Sequence, residues 1–433
     1  MPSEVTVNIR SIAVGGAGIG ETTAQSGSGS ELLGIATFVP FTIPGEVVTA
    51  QVSQQKQRYL EARLLSVANP SSDRQSPRCS YYTICGGCEL QHMTYNAQLL
   101  AKYEMIRGAL RSARVPLDVV DKLQAISPSE PFHYRRRVTL HVDPQGRVGF
   151  YRAGSRSVVA IEQCEVAHPR INETLARAAQ LGLALPGRIS SIIIDIDTTG
   201  EIVLLRTPYD LGKSEQLKVL ESAKAHFPHV RLLSAAGEVG GFGREFLELP
   251  LTEKGNLTLQ IPAGCFSQVN WEINMRLIAR AMELAQVKPH ATVLDLYSGA
   301  GNFALPFARA GARVTAVETD PRLVACGRQN AKRYGLERTL EFYQGSVERY
   351  LEDGKLKGML DAIIADPPRS GLGKVVPHLP VAKRLLLVSC HVPSFVRDLK
   401  GLIENGWRVE SIEPFDMFAQ TSYVEILSVL ECG

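Results

Sequence analysis

The sequence predicts an α/β chain: a C-terminal doubly wound, Rossmann-like domain, preceded by a small N-terminal β-barrel and a mainly-β central domain. Three observations carry that reading. From about residue 270, strand and helix periodicities alternate, as in a largely parallel sheet covered by helices. The first 70 residues are short strands punctuated by Gly and Pro, the pattern of a small barrel. Residues 134 to about 250 read as mainly strand, with helices near 172–180 and 213–226. The expected domains are 1–70, 71–265 and 266–433.

Each element has its own signal. Residues 5–14 alternate apolar and polar side chains, as a half-buried strand does. The run Gly15-Gly16-Ala17-Gly18-Ile19-Gly20 makes a weak dinucleotide loop, because no amphipathic helix follows it. Ser, Gly and Thr dominate 21–30, which reads as a hairpin tip. Strands are expected over 33–40 and 46–52, around the turn Thr42-Ile43-Pro44-Gly45. Residues 71–78 read as a polar linker. Leu99, Leu100, Tyr103, Ile106 and Leu110 recur at helical spacing, so a helix is expected over 93–111. In the C-terminal part, helices are expected over 270–284, 302–309, 320–334 and 393–405. The strands between and after them are expected over 292–297, 313–318, 340–344, 361–366, 384–389, 407–415 and 423–430.

The chain has 433 residues, 45% hydrophobic and 21% charged, ordinary for a globular protein. Its net charge of +3 says little, but 134–156 carries six arginines (Arg135, Arg136, Arg137, Arg147, Arg152, Arg156) against one acid, Asp143. Such a segment is either a polyanion-facing surface or a solvated strand face. No basic-then-apolar leader is read at the N-terminus, and no apolar run approaches ~18 residues, so a cytoplasmic chain without membrane spans is expected. The eight cysteines then read as metal ligands or a reactive thiol rather than disulfides.

Two motifs carry a ligand site. Val293-Leu294-Asp295-Leu296-Tyr297-Ser298-Gly299-Ala300-Gly301-Asn302-Phe303 is a strand, a Gly turn and a helix start, and Glu318 ends the next strand. Glycines let a ligand approach the backbone, and an acid there accepts from both hydroxyls of a ribose. Asp-x-x-x-Gly-x-Gly with this acid suggests S-adenosylmethionine; a nicotinamide site would more typically show Gly-x-Gly-x-x-Gly directly after the strand. The plainer alternative is a tight turn beside a solvated acid. Asp366-Pro367-Pro368-Arg369 ends another strand, either as an acid held rigidly at a pocket or as a simple strand-terminating turn.

Cys390 ends the strand 384–389 and just precedes a helix, whose N-terminus is expected to favour the thiolate, making it a candidate nucleophile. Glu425, on the final strand, is the candidate base. Taken alone, such a cysteine is more often buried packing and such a glutamate faces solvent. Cys79-x5-Cys85-x2-Cys88, with Cys164 far downstream, suits zinc or an iron–sulfur cluster, and a lone Cys-x2-Cys can also be a redox pair.

Together these residues resemble the RNA uridine C5-methyltransferase family, most closely its bacterial 23S ribosomal RNA branch, over nearly the whole chain. The Gly-rich hairpin and the stretch from Phe38-Val39-Pro40 to Pro44-Gly45-Glu46 look like a TRAM domain, an OB-like RNA-binding barrel. Gly264-Cys265-Phe266-Ser267-Gln268-Val269-Asn270 resembles the family's Phe-x-Gln-x-Asn signature. The resemblance implies a class I methyltransferase domain, Cys390 as nucleophile and Glu425 as base. It implies S-adenosyl-L-methionine contacts at Gln268, Tyr297, Asn302, Glu318, Ser346 and Asp366. It also implies a 4Fe–4S cluster on Cys79, Cys85, Cys88 and Cys164, with a structural role. Two positions depart from the family: His391-Val392 follow the nucleophile in place of Asn-Pro, and Ser346 stands where Asn or Asp is common. The expected partner is RNA, ribosomal before transfer RNA, acted on by a monomer. Methylation of another acceptor, such as cytosine C5 or a side-chain amide, and a non-catalytic iron–sulfur RNA-binding protein are the competing readings.

Overall fold

A computed structural model of the chain describes residues 3–25, 32–354 and 358–432. Five strands (Glu4–Ile12, Gly18–Gln25, Ala36–Val39, Val47–Gln55 and Tyr59–Asn69) close into a barrel. Their alternating inward faces fill it with Val5, Val7, Ile9, Val39, Val48, Ala50 and Leu60. The first hairpin turns earlier than expected, at Gly15 and Gly16, whose φ of 100° and 82° disfavours side chains. Residues 21–25 are therefore strand, not tip: Thr22 is buried, and its Oγ1 lies 2.9 Å from Thr37 Oγ1. The rest of the expected tip, 26–30, lies outside the described residues.

Segment 71–78 is fastened to the barrel rather than being a free linker. Arg74 donates to the buried Glu46 carboxylate through Nε and Nη2 at 2.6 and 2.7 Å. The Ile43 and Ser71 amides donate to it at 2.8 and 3.2 Å. Burial alone would raise this carboxyl, but Arg74 and the two amides outweigh it and hold it below the usual carboxylate range.

The central domain is a seven-stranded sheet in the order Gly237–Phe242, Val230–Ser234, Glu201–Arg206, Ser191–Ile196, Arg137–Val142, Val148–Tyr151 and Val158–Ala160. Helices Pro169–Ala184 and Lys213–Lys224 share its core. The basic segment mostly finds partners within the protein. Cross-strand register sets Arg137 opposite buried Asp195, and the two form an ion pair at 3.3 Å. Arg147 pairs with Asp143 at 2.6 Å, and Arg136 lies 4.8 Å over the Trp271 ring. Arg152 and Arg156 are exposed.

The C-terminal sheet runs Leu340–Gln344, Arg313–Glu318, Thr292–Leu296, Leu360–Ala365, Ala382–Ser389, Glu425–Cys432 and Trp407–Phe415. The first five are parallel, and Glu425–Cys432 is antiparallel to both of its neighbours. Successive residues of the inner strands face opposite cores. Val293, Ala362, Ile364 and Leu386 meet helix Trp271–Ala285. Leu294, Ile363, Leu385 and Leu387 meet helices Val392–Glu404 and Tyr95–Ser112.

Hairpin Phe246–Pro250/Thr258–Pro262 and helix Tyr95–Ser112 precede residue 265, yet bury their apolar faces on opposite sides of the C-terminal sheet. No helix among the described residues is long and apolar enough to cross a membrane.

Arg74→Met leaves the Glu46 carboxylate buried with backbone donors alone. It is expected to cost roughly 3 kcal/mol, seen as a lower denaturation midpoint and faster proteolysis within 71–78. An unchanged midpoint would mean that the clamp is idle.

Candidate active site

The parallel strands end at one edge, and the residues just beyond them build the site. Leu296, Val317, Ala365 and Leu387 share a row of the sheet, so Tyr297, Glu318 and Asp366 occupy the next. The reversed strand begins at this same edge. Ser389 pairs with Ile426, so Cys390 and Glu425, one residue further out on each strand, face each other across the end of the ladder.

Tyr297 leaves its strand at φ 63°, followed by Gly299 at 58° and Gly301 at 105°. A non-Gly residue held there is strained, and such strain collects at functional turns. A Cβ built on Gly299 meets no atom within 4 Å, so the face of this turn is open. Glu318 ties the turn to the next strand. Its Oε1 accepts the Thr319 and Asp320 amides at 2.6 and 2.8 Å, and Oε2 accepts that of Gly299 at 3.0 Å, leaving acceptor capacity on Oε2.

The other expected ligand contacts are brought to this edge with varied engagement. The Gln268 side chain donates to Asp366. Ser346 caps helix Val347–Glu352 by accepting from the Arg349 amide at 3.2 Å, beside Gly345, which donates to the Glu318 carbonyl at 2.9 Å. The Asn302 amide is held by Asn274 in a reciprocal pair at 3.0 and 3.1 Å. Its side chain thus braces the turn against helix Trp271–Ala285.

Three acids and a thiol are held toward protonation here. Burial pushes Asp366 up to about 7, against the Gln268 hydrogen bond. Glu425 is 1% exposed, its Oε1 has no partner, and burial followed by the Asp366 charge drives it well above the carboxylate range. Cys390 is pushed up to about 11, first by burial, then by Glu425 and Asp366, while Arg369 pulls the other way. This overturns the expectation of a thiolate favoured by the helix N-terminus. That helix begins at Val392, and its dipole is outweighed by burial beside two carboxylates.

Asp295 opens the Asp-x-x-x-Gly-x-Gly motif, but the sequence assigned it no contact of its own. It is 1% exposed, neither carboxyl oxygen has a hydrogen bond of ordinary geometry, and its pKa is raised well above normal by burial. The Ala304 amide is the donor nearest to it, and its charged neighbours are Asp366 and Glu318. The signal was an acid inside an otherwise apolar strand. Ser298 Oγ is likewise buried without a partner. These orphaned oxygens and the open Gly turn fit a polar ligand such as S-adenosylmethionine.

Away from this edge, Cys79, Cys85, Cys88 and Cys164 line one cavity of about 280 Å³ with Tyr81, Tyr82, Val138 and Phe150. None is in a disulfide. Burial pushes Cys88 up to about 12 and Cys164 up to about 11, with the neighbouring cysteines adding to it. Among the described residues, no three His, Cys, Asp or Glu side chains stand close enough to hold a single metal ion.

The family model for tRNA (uracil-5-)-methyltransferases matches residues 94–432, and that for the TRAM domain matches residues 3–65. A 23S rRNA (uracil(1939)-C(5))-methyltransferase, RlmD, of Shewanella baltica is 33% identical over 422 residues, covering 92% of this chain and 91% of its own. The protein of the same name from Shewanella amazonensis is 35% identical over 420 residues, covering 93% and 92%. The crystal structure of Pyrococcus abyssi tRNA (uracil-54, C5)-methyltransferase with S-adenosyl-L-homocysteine superposes with a TM-score of 0.72, at 21% identity, covering 98% of this chain and 99% of its own.

Asp366 titrates higher in the folded chain than unfolded, so its ionisation costs stability from about pH 4, the cost being complete above about pH 7. Asp366→Asn is expected to raise the melting temperature at pH 8 by about 2–4 °C, a gain that vanishes near pH 4. An equal gain at both pH values would show that the effect is not ionisation.

Proposed function

Because this chain belongs to the tRNA (uracil-5-)-methyltransferase family and carries an N-terminal TRAM domain, we propose that it methylates C5 of one uridine in 23S ribosomal RNA. It is an S-adenosylmethionine-dependent RNA methyltransferase. The observation that carries it is the opposition of Cys390 and Glu425 at the sheet edge that holds the Gly turn and Asp366.

Uracil C5 is a weak nucleophile until a thiolate adds to C6. Cys390 supplies that thiolate, and the addition leaves an enolate that concentrates electron density on C5. The bound donor supplies an electrophilic methyl group, which C5 takes. Glu425 then removes the C5 proton, the enolate re-forms, and it expels Cys390 from C6. Gln268, Tyr297, Asn302, Glu318, Ser346 and Asp366 hold the donor, Asn302 by bracing the Gly turn through Asn274. Reaching C5 requires the uridine to leave its stack, at a cost of a few kcal/mol offset by contacts elsewhere. The barrel, together with the exposed Arg152 and Arg156 of the central domain, provides those contacts to the RNA backbone.

The four cysteines form a second centre. They are free thiols around one cavity, lined by aromatic and aliphatic side chains, and they suit a 4Fe–4S cluster held at wider spacing than a single ion allows. Such a cluster would tie the cysteine segment 79–88 to the central domain at Cys164. Its role here is structural. Iron and sulfide in fourfold proportion to protein, with absorbance near ~400 nm after anaerobic purification, would support it. Stoichiometric zinc without iron would overturn it.

RNA containing 5-fluorouridine has no C5 proton to lose and is expected to remain covalently joined to the wild-type chain. Cys390→Ala should form no adduct, and an adduct on that variant would sink the nucleophile assignment. Because the Cys390 thiol is held near pH 11, adduct formation is expected to accelerate steadily from pH 7 to pH 9. A flat profile would mean a thiolate already formed at neutral pH. Mapping of 5-methyluridine in ribosomal and transfer RNA, with and without the gene, separates the two substrates.

A further inference from the structure

Residues 416–424 join strands Trp407–Phe415 and Glu425–Cys432 of the C-terminal sheet. Loops of this length usually run over the surface. Here Met417, Ala419, Gln420, Ser422 and Val424 are all 3% exposed or less. The cover comes from the N-terminal half of the chain. Gln420 sits at φ 68°, and each of its polar groups has a partner. Its carbonyl accepts the Glu89 and Leu90 amides at 3.1 and 3.0 Å. Its amide donates to Gln98 Oε1 at 3.2 Å, its Oε1 accepts from Gln98 Nε2 at 3.0 Å, and its Nε2 reaches the Pro131 carbonyl at 3.4 Å.

The two ends of the loop are held as firmly. Lys102 and Asp416, each 1% exposed, meet at 2.5 Å, and the Tyr95 hydroxyl donates to the same carboxylate at 2.7 Å. Lys102 also donates to the Phe418 carbonyl at 3.1 Å. The Ser422 amide donates to Glu89 Oε2 at 3.1 Å, and its Oγ accepts from the Gly15 amide at 3.2 Å. Ala419 lies in an apolar patch with Tyr134 and Val166, against which Cys88 and Cys164 pack.

A buried ion pair adds little net stability, so this wiring calls for another purpose. The loop opens into the strand at Glu425, whose register partner is Phe415 at the loop's other end. We propose that 416–424 is a positioning device for the base: Gln98, Gln420 and the Lys102–Asp416 pair hold Glu425 opposite Cys390, and the cysteine segment is the far anchor. The proposal rests on Glu425 being the base. It assigns the device to one step. Addition to C6 and methyl transfer depend on Cys390 and the donor, whereas loss of the C5 proton depends on the placement of Glu425. A loosened loop therefore leaves methylated RNA joined to Cys390 through C6.

Gln98→Leu keeps the side-chain volume and removes the amide pair. In single-turnover reactions of the full chain with S-adenosylmethionine and target RNA, it is expected to release product at least about tenfold more slowly. Its RNA affinity should not change, and a methylated protein–RNA adduct should build up on denaturing gels. Lys102→Met with Asp416→Asn removes both charges together and is expected to show the same band. Glu425→Gln tests the base itself and should trap the adduct most completely. If Glu425→Gln gives no band, the base assignment fails. If it does give one, the positioning device is overturned by either of two results. One is both loop variants turning over like wild type. The other is both losing adduct formation and turnover in proportion, or not folding, since the loop would then support the fold rather than the base.

Discussion

Parallel strands of a doubly wound sheet all deliver their C-terminal ends to one edge, and only an antiparallel strand can bring its own beginning there. Glu425–Cys432 is that strand, set between Ala382–Ser389 and Trp407–Phe415. Its reversal puts Glu425 beside Cys390 although 34 residues of helix, strand and loop lie between them. Were the strand parallel, its first residue would stand at the opposite edge, about 25 Å away for eight residues. The Gly turn, Glu318 and Asp366 come to the same edge by the ordinary rule. The opposition of Cys390 and Glu425 comes from this single exception.

That convergence has an electrostatic cost. Asp295, Asp366 and Glu425 are each raised by burial, and those closest repel one another, with Cys390 raised beside them. Groups held toward protonation destabilise the folded chain as they ionise, the usual tension between an active site and a stable fold. A positively charged sulfonium donor relieves the same repulsion. A cation beside these acids favours their ionised forms.

Much of this was legible in the sequence, for definable reasons. Strands Arg313–Glu318, Leu340–Gln344 and Trp407–Phe415 fall where apolar patterning sets them. Helix Pro321–Arg333 starts at Asp320, which accepts from the Arg322 amide as its cap. Cys390 and the Gly turn stand out in the sequence because each sits at the end of a recognisable strand, and the structure brings Glu425 to the same edge. What was not legible depends on contacts between distant residues. Glu46 and Arg74 look like independent surface charges until the barrel closes. The arginines of 134–156 look free until register places Asp195 opposite Arg137. The protonation of Cys390 depends on two carboxylates that are far off in sequence, so local reasoning from a helix terminus gave the wrong sign. Gln98 and Lys102 read as ordinary polar positions on a helix, because their partners lie more than 300 residues downstream.

Those long separations bear on how the molecule is made. Gly15 meets Ser422 across 407 residues, and Gln98 meets Gln420 across 322. Contacts so far apart form slowly, and domains emerging from the ribosome fold in order from the N-terminus. The barrel, the cysteine segment and the five parallel strands all precede 416–432 in the chain and are synthesised before it. Strand Glu425–Cys432 lies between Ala382–Ser389 and Trp407–Phe415, so its place opens only once both of those strands have formed. Residues 416–424 and Glu425 can therefore be seated only against partners laid down hundreds of residues earlier in the chain.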